Sequence, residues 1–314
     1  MNAPPVVVVA HPFARGAPKS VRSEIVRAWE EVGEVQVRLT TSPGEGARLA
    51  RAAAEDGARV VVALGGDGTF NSVASGLVGT STAFAPIPAG STNVLPRALG
   101  LPNDALAAAR LLARAVCDGV GAQLPISHAG GQVFLANAGI GFDAEVVRLA
   151  ESHAGLKRRS SPAAFLWATA RTLAAPHRGF RLTIDDIDEP LHAELLSVQN
   201  VSPYTYLGSR PLEVAGRHGI LPRFTLLVVP HVSSRVLAKV FAEALRGRLE
   251  QSAAGGRVLV LTGVSRVEVH AAEAVPLQVD GEPSPPARQI SFVHKTSSVP
   301  VFLPATSAAV LPRR

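Results

Sequence analysis

The chain has 314 residues, of which 47% are hydrophobic, so it can bury either one large core or two ordinary ones. Its formal charge of +6 favours anionic partners such as nucleotides, nucleic acid or an acidic membrane surface, although arginine-rich usage weakens that inference. One cysteine, Cys117, excludes an internal disulfide and fits a reducing cytoplasm. A secretory signal or a spanning helix is not expected, and any membrane contact should be peripheral.

The first part of the chain alternates strands with helices. Val6–Ala10 and Val60–Leu64 are continuous apolar runs that predict buried strands, and Val35–Leu39 predicts another between them. Ala85–Pro88 follows as a short fourth strand. Such alternation indicates a parallel α/β sheet, which binds ligands at the carboxyl ends of its strands. Helices are predicted over residues 21–31, 45–56, 71–78 and 104–115, the last with Asn103 as its N-cap.

After Gly119 the pattern changes to short strands with few helices, which predicts a mostly antiparallel β domain. We therefore expect domains at 1–120 and 121–295, and the tail over 296–314 can return to the first. The predicted helices cover 144–150, 163–173 and 234–245. The predicted strands cover 123–126, 132–137, 179–184, 192–200, 224–229, 266–270, 277–280 and 290–294.

The stretch Leu64–Asn71 is the most informative part of the chain, because a buried strand runs directly into three glycines, a carboxylate and a threonine. Glycines allow a sharp turn and a close backbone approach, and the amides of such a turn point at anions. Asp67 would repel phosphate unless it binds a cation or takes a proton. This combination indicates phosphoryl transfer. The simpler alternative is a tight strand-to-helix turn with Asp67 as a helix cap.

Four ordered motifs lead to a family. Gly65–Asn71 is followed by Pro88–Asn93 with Leu99–Pro102, then by Asn137–Asp143, and finally by Val279–Pro283. In this order and spacing they resemble the diacylglycerol kinase catalytic-domain family, which includes bacterial lipid kinases and sphingosine kinases. The resemblance implies an α/β nucleotide-binding domain and a β-sandwich-like lipid domain, with ATP and substrate meeting in the cleft.

The resemblance also implies roles for individual residues. Glu282 matches the proton acceptor of an Asp-Gly-Glu motif, and Asp67 would lie near Mg²⁺ or the reacting hydroxyl. Which of the two is the base stays open. A solvated hairpin turn is the simpler interpretation of Glu282. The residues expected to hold ATP are Thr40, Gly65, Gly66, Asp67, Gly68, Thr69, Asn71, Ser91 and Asn93.

Three positions depart from the family pattern. His11 stands where relatives have Asn before Pro12, and Ser72 replaces a glutamate. His218 stands where relatives carry an aspartate at an auxiliary Mg²⁺ site, so that site is doubtful here. A catalytically silent nucleotide- or lipid-binding module therefore remains an alternative. An NAD kinase, which shares the Gly-Gly-Asp-Gly loop, is another.

The expected reaction is phosphorylation of a lipid hydroxyl by ATP, with diacylglycerol or a related lipid as acceptor. Lys157–Arg159, before a helix that contains Trp167, could contact lipid headgroups, although a solvated basic turn is the simpler interpretation. We expect a cytoplasmic, peripherally membrane-associated protein with no nucleic-acid partner. A homodimer is common in this fold.

Overall fold

A computed structural model shows the chain as two compact units, Met1–Ile126 with Lys295–Arg314 and Ser127–His294. The predicted headgroup contact at Lys157–Arg159 lies outside the described part of the chain. The structure describes residues 5–12, 14, 16–42, 44–153, 161–216, 218–253, 257–304, 307 and 311, and of 161 and 162 only the backbone.

Unit 1 contains a parallel β-sheet. Its strands are β1 (Val6–Ala10), β2 (Val35–Leu39), β3 (Val60–Gly65) and β4 (Ala83–Pro88). They lie side by side in the order β4-β3-β1-β2, and Val301 from the tail pairs in parallel with Phe84 of β4. Every residue of β1, β3 and β4 is buried, as expected for strands covered on both faces by helices. The predicted α/β fold is confirmed.

The helices of unit 1 were predicted to within two residues at their N-termini, with one exception. They are α1 (Lys19–Glu30), α2 (Glu45–Glu55), α3 (Asp67–Leu77), α4 (Val94–Ala98) and α5 (Ala105–Cys117). Helix α3 begins at Asp67 and not at Asn71, since a carboxylate in the first turn complements the helix dipole. The prediction that Asn103 is the N-cap of α5 was wrong. Asp104 is the N-cap, and its side chain accepts a hydrogen bond from the Ala107 amide at 2.8 Å.

Helices α2 and α3 pack with almost no space between their backbones. A Cβ placed on Gly76 of α3 would overlap the carbonyl of Ala47 in α2, and one on Gly46 would lie 2.9 Å from the Ser72 hydroxyl. The Ser72 Oγ accepts the Ala47 amide at 3.0 Å. Because α2 is preceded by Gly44, which has no side chain, Ser72 supplies the missing N-cap acceptor from the neighbouring helix.

Removing this hydroxyl should destabilise unit 1. We expect Ser72→Ala to lower the free energy of unfolding by about 0.5–2 kcal/mol, the usual cost of losing an N-cap acceptor. Ser75→Ala is the matched control, because the described bonds of the Ser75 hydroxyl, to the Asn71 carbonyl and to Asn71 Oδ1, stay within its own helix. Urea unfolding of the two variants measures the difference. Equal stability of both would contradict the capping role.

Unit 2 is mostly antiparallel, as predicted. The strands are β5 (Gly121–Ala129, which begins in unit 1), β6 (Gln132–Phe134), β7 (Asn137–Gly141), β8 (Phe180–Ile184), β9 (Ile187–Ala193), β10 (Leu195–Ser202), β11 (Thr205–Leu207), β12 (Arg210–Leu212), β13 (Gly219–Val229), β14 (Leu259–Val264), β15 (Arg266–Val279) and β16 (Glu282–Phe302, which ends in unit 1). Six of these strands follow the order β14-β13-β10-β7-β15-β16, β8 pairs with β15, and β9 pairs with β8. β6 pairs with β5, and β11 and β12 form a separate two-stranded sheet.

The strand bounds of unit 2 correct several predicted ones. The predicted strands at 266–270 and 277–280 are one strand, β15, whose register shifts interrupt the alternating pattern. The predicted strand at 132–137 is instead divided between β6 and β7, and β11, β12 and β14 were missed. Among the described residues of this unit, the helices are α6 (Phe142–Ser152), α7 (Ser161–Leu173), α8 (Ser234–Leu245) and α9 (Leu249–Ser252).

Alternation along β13 separates the two cores of unit 2. Phe224, Leu226 and Val228 enter a core made mainly by strands. Leu227 and Val229 enter a second core, which α6 and α8 help to form. This is the period of two that a strand buried on both faces requires. Among the described residues, no helix combines the length and apolarity needed to span a bilayer.

Candidate functional site

The glycine-rich motif forms the link between β3 and α3. β3 ends at Gly65, and Gly66 is the extended N-cap of α3 with φ −105° and ψ −170°. The first intrahelical bond runs from the Phe70 amide to the Gly66 carbonyl at 3.1 Å. The amides just before Phe70 thus have no acceptor within the helix and are directed along its axis. This is the geometry of an anion site.

A second turn, after β4, lies directly against the first. The Ala89 amide donates to the Gly65 carbonyl at 2.7 Å, which holds the two strand ends together. Beyond this bond, Gly90 packs on Gly66, and a Cβ on Gly90 would lie 2.6 Å from the Gly66 Cα. Only glycine fits at position 90 without moving the backbone that starts α3. The structure thus brings the two predicted nucleotide motifs together.

Asn93 faces the protein and not the surface. It is 3% exposed and adopts the left-handed conformation, with φ 52° and ψ 51°. Its Oδ1 accepts the Gly90 amide at 2.9 Å, and its Nδ2 donates to the Gly90 carbonyl at 3.1 Å and to Asn103 Oδ1 at 2.8 Å. These bonds close the turn on itself. Ser91, in the same turn, is exposed.

The remaining predicted residues of unit 1 also lie at the carboxyl edge of the sheet. Asp67 is half-buried and its Oδ1 accepts the Leu95 amide at 3.4 Å, which ties α3 to α4. The Thr69 side chain occupies the space that a Cβ on Gly65 would need. Thr40 follows β2, and its amide donates to the Ala10 carbonyl at 3.0 Å. Gly68 lies in the first turn of α3, and Asn71 one turn further along it.

The loop after Thr40 is held by a carboxylate that sequence reasoning missed. Glu45, the first residue of α2, accepts the Thr41 amide at 2.6 Å and the Thr41 hydroxyl at 2.7 Å. Arg48 donates to the same carboxylate at 2.6 Å. These bonds, led by the one from the Thr41 amide, lower the pKa of Glu45 to about 2.

This lowered pKa gives a pH prediction. Because the folded pKa lies below the ordinary glutamate value of 4.5, Glu45 stabilises the fold above pH 4.5, and this contribution is lost as the pH falls toward 2. We expect Glu45→Gln to lower the thermal unfolding midpoint at pH 6 and to have progressively less effect at lower pH. Calorimetry of both proteins across that range measures it. A difference that does not change with pH would contradict the assignment.

Glu282 follows the tight turn between β15 and β16. Val279 pairs with Glu282 across the turn, and Asp280 and Gly281 have φ of 50° and 79°, as in a type I′ hairpin. Glu282 is exposed. Its neighbour Asp280 is 7% exposed, and its carboxylate accepts three backbone amides, from Leu135 to Asn137, at 2.7–3.0 Å. Asp280, which sequence reasoning passed over, anchors the turn that carries Glu282.

The residues of unit 1 fit a nucleotide-bound Mg²⁺ but not a metal site built by protein alone. No group of three or more His, Cys, Asp or Glu side chains in the described ranges could hold an ion. Mg²⁺ commonly takes one or two carboxylates together with substrate phosphates and water, and Asp67 offers one such carboxylate. At the position of the auxiliary Mg²⁺ site of relatives, in unit 2, His218 Nε2 lies 3.0 Å from Glu213 Oε1, so the contact described for this histidine is with a carboxylate.

Comparison with known proteins agrees with this geometry. Residues 5–120 match the family model for the diacylglycerol kinase catalytic domain. The predicted family resemblance is confirmed. The match covers both glycine turns and the whole of β1 to α5. No curated protein matches the sequence significantly.

Solved structures support the same fold. A Bacillus anthracis str. Sterne protein proposed to be a diacylglycerol kinase is 19% identical, with 99% of this chain and 98% of that one covered at a TM-score of 0.73. A diacylglycerol kinase from the same organism gives 17% identity, 98% coverage of both chains and a TM-score of 0.68. An Archaeoglobus fulgidus NAD kinase, solved with ATP, gives 15% identity, coverage of 98% and 96% and a TM-score of 0.54. At these identities the likeness concerns the fold alone.

Proposed function

We propose that the protein is an ATP-dependent lipid kinase that transfers the γ-phosphoryl group to a lipid hydroxyl, with diacylglycerol or a close relative as acceptor. The observation that carries this proposal is the start of α3, where a family-matched glycine motif presents backbone amides and one carboxylate. In this proposal the first domain, residues 1–120, binds the nucleotide. The second, residues 121–295, binds the lipid.

Each group has a defined role in the proposed reaction. The amides at the start of α3 bind phosphate oxygens, and Gly66 and Gly90 allow the backbone to approach them closely. Thr40 and Ser91 complete the nucleotide contacts, and Asn93 shapes the turn. Glu282 takes the proton of the lipid hydroxyl as its oxygen attacks the γ-phosphorus. Mg²⁺, held by Asp67 and the phosphates, would neutralise phosphate charge.

We also propose that α7 contributes to peripheral membrane contact. Its residue Leu166 is 73% exposed, and the neighbouring Trp167 is 36% exposed. Trp167 lies against the His153 ring, with centroids 4.2 Å apart, so the indole has one packed side and one accessible side. An amphipathic ring of this kind suits the interface between headgroups and acyl chains.

Ser72 and His218 favour a catalytically silent module only weakly, because each has a local structural role. Ser72 caps α2, and His218 pairs with Glu213.

A transfer assay tests the proposal. The protein is incubated with γ-labelled ATP and Mg²⁺, and separate samples contain vesicles of diacylglycerol, vesicles of other lipid alcohols, or no acceptor. Label in an organic-phase product supports a lipid kinase. ATP binding without transfer supports the silent module, and label in NADP from added NAD supports an NAD kinase.

A further inference from the structure

A carboxylate with no role in the proposed reaction lies in unit 2, connected to the turn before Glu282. Asp143, in the first turn of α6, accepts the Tyr204 hydroxyl at 2.7 Å on Oδ1 and Gln278 Nε2 at 2.9 Å on Oδ2. It lies deep in the unit although part of the residue stays accessible, and this burial raises its pKa. A Cβ on Gly139 would overlap its Oδ2, so glycine is needed there.

Gln278 connects Asp143 to the turn. It is fully buried, and its Nε2 donates both to Asp143 Oδ2 and to Asn137 Oδ1, the latter at 3.1 Å. Its Oε1 accepts the Gly281 amide at 2.8 Å. A primary amide has donors at one end and an acceptor at the other. The two acceptors around Nε2 therefore fix which end of Gln278 faces Gly281.

Both turn residues are thus anchored from inside the unit. Asp280 is held through its carboxylate by three backbone amides, and Gly281 through its amide by Gln278. The residue that follows them is Glu282, which is exposed. A turn with anchors at two consecutive residues has little freedom to rotate, so the backbone of the next residue is fixed in direction.

We propose that Asp143 is a positioning residue for Glu282, acting through Gln278 and the Gly281 amide. Its catalytic consequence rests on the proposed function, whereas its effect on the turn does not. Errors of about 1 Å in the placement of a reacting group cost up to about 100-fold in rate. Loss of this single link, with the Asp280 anchors intact, should cost less than that limit.

Asp143→Asn tests the link with little change of shape. Tyr204 still requires an acceptor, so the new amide group faces Gln278 Nε2, and two donors then oppose each other. Gln278 must turn over or move away, and in either case the Gly281 amide loses its acceptor. We expect faster hydrogen exchange of the Gly281 amide, a fall in kcat of about tenfold and a KM for ATP within about twofold of wild type.

Three further variants separate positioning from stability. Tyr204→Phe removes only the hydroxyl that donates to Asp143 Oδ1. It should cause smaller changes in Gly281 exchange and kcat than Asp143→Asn, and it tests the link if Asp143→Asn does not fold. Tyr206→Phe is the matched control and should leave kcat unchanged. In a Glu282→Gln background, Asp143→Asn should cause no further loss of residual kcat, because it acts through Glu282.

Two results would overturn the positioning role of Asp143. Unchanged Gly281 exchange in Asp143→Asn and in Tyr204→Phe overturns the proposal. So does a lower unfolding midpoint with unchanged kcat for the folded enzyme, which would show a purely structural role. If the wild type transfers no phosphate, the proposed function fails and the positioning of Glu282 fails with it. Altered Gly281 exchange in the variants would then show only that Asp143 holds the turn.

Discussion

Glu282→Gln should lower kcat for lipid phosphorylation by about 100- to 10,000-fold, the usual range for losing a general base. Glutamine has nearly the shape of glutamate but takes no proton from the attacking hydroxyl at neutral pH. Glu282 is exposed on the turn after Asp280, so the fold should tolerate the change. Steady-state kinetics and equilibrium binding of ATP measure both effects. ATP affinity should remain within about twofold of wild type.

Glu189→Gln is the matched control for charge, because Glu189 is an exposed glutamate on β9 of the same unit. Its kcat should equal that of wild type. If Glu282→Gln keeps more than a third of the wild-type kcat, Glu282 is not the base. A large loss in Asp67→Asn, with Glu282→Gln nearly unaffected, would then transfer the role to Asp67.

Gly90→Ala should weaken ATP binding by about tenfold or more and lower the free energy of unfolding by about 1–3 kcal/mol, the usual cost of overpacking. The added methyl carbon would lie 2.6 Å from the Gly66 Cα and 3.0 Å from Asn93 Oδ1. The backbone must then separate the two turns, which moves the amides at the start of α3. Nucleotide titration and denaturant unfolding measure the two effects.

Gly216→Ala is the control, because no described atom lies within 4 Å of the added carbon. Its ATP affinity should match that of wild type. If Gly90→Ala binds ATP as tightly as Gly216→Ala does, the contact of the two turns is not needed for phosphate binding. The nucleotide site would then have to be sought elsewhere in unit 1.

The alternation of apolar runs and helices was sufficient to predict the parallel sheet, because each element is a local pattern. The first turn of α3 was misjudged for a physical reason. Glycines at 65, 66 and 68 suggest a loop, yet Asp67 favours a helix start and Gly66 serves as an extended N-cap. A prediction based on glycine alone therefore placed the helix start too late.

Several contacts that the sequence analysis missed join residues far apart in the chain. Asp280 binds amides 143–145 positions away, and Gln278 bonds Asp143 at a separation of 135. Asn93 has its side-chain amide inside the turn, bonded to Gly90 three positions away, and its contact with the nucleotide stays a prediction. No spacing rule along the sequence predicts the contacts of Asp280 and Gln278.

The most direct test of the central claim follows the phosphoryl group itself. ATP with ¹⁸O at all three non-bridging γ-oxygens is incubated with the protein, Mg²⁺ and diacylglycerol vesicles, and the lipids are analysed by mass spectrometry. We predict a phosphorylated lipid that carries all three labelled oxygens and that is absent when Glu282 is replaced by Gln. Labelled oxygen only in inorganic phosphate, or only in unreacted ATP, would contradict it.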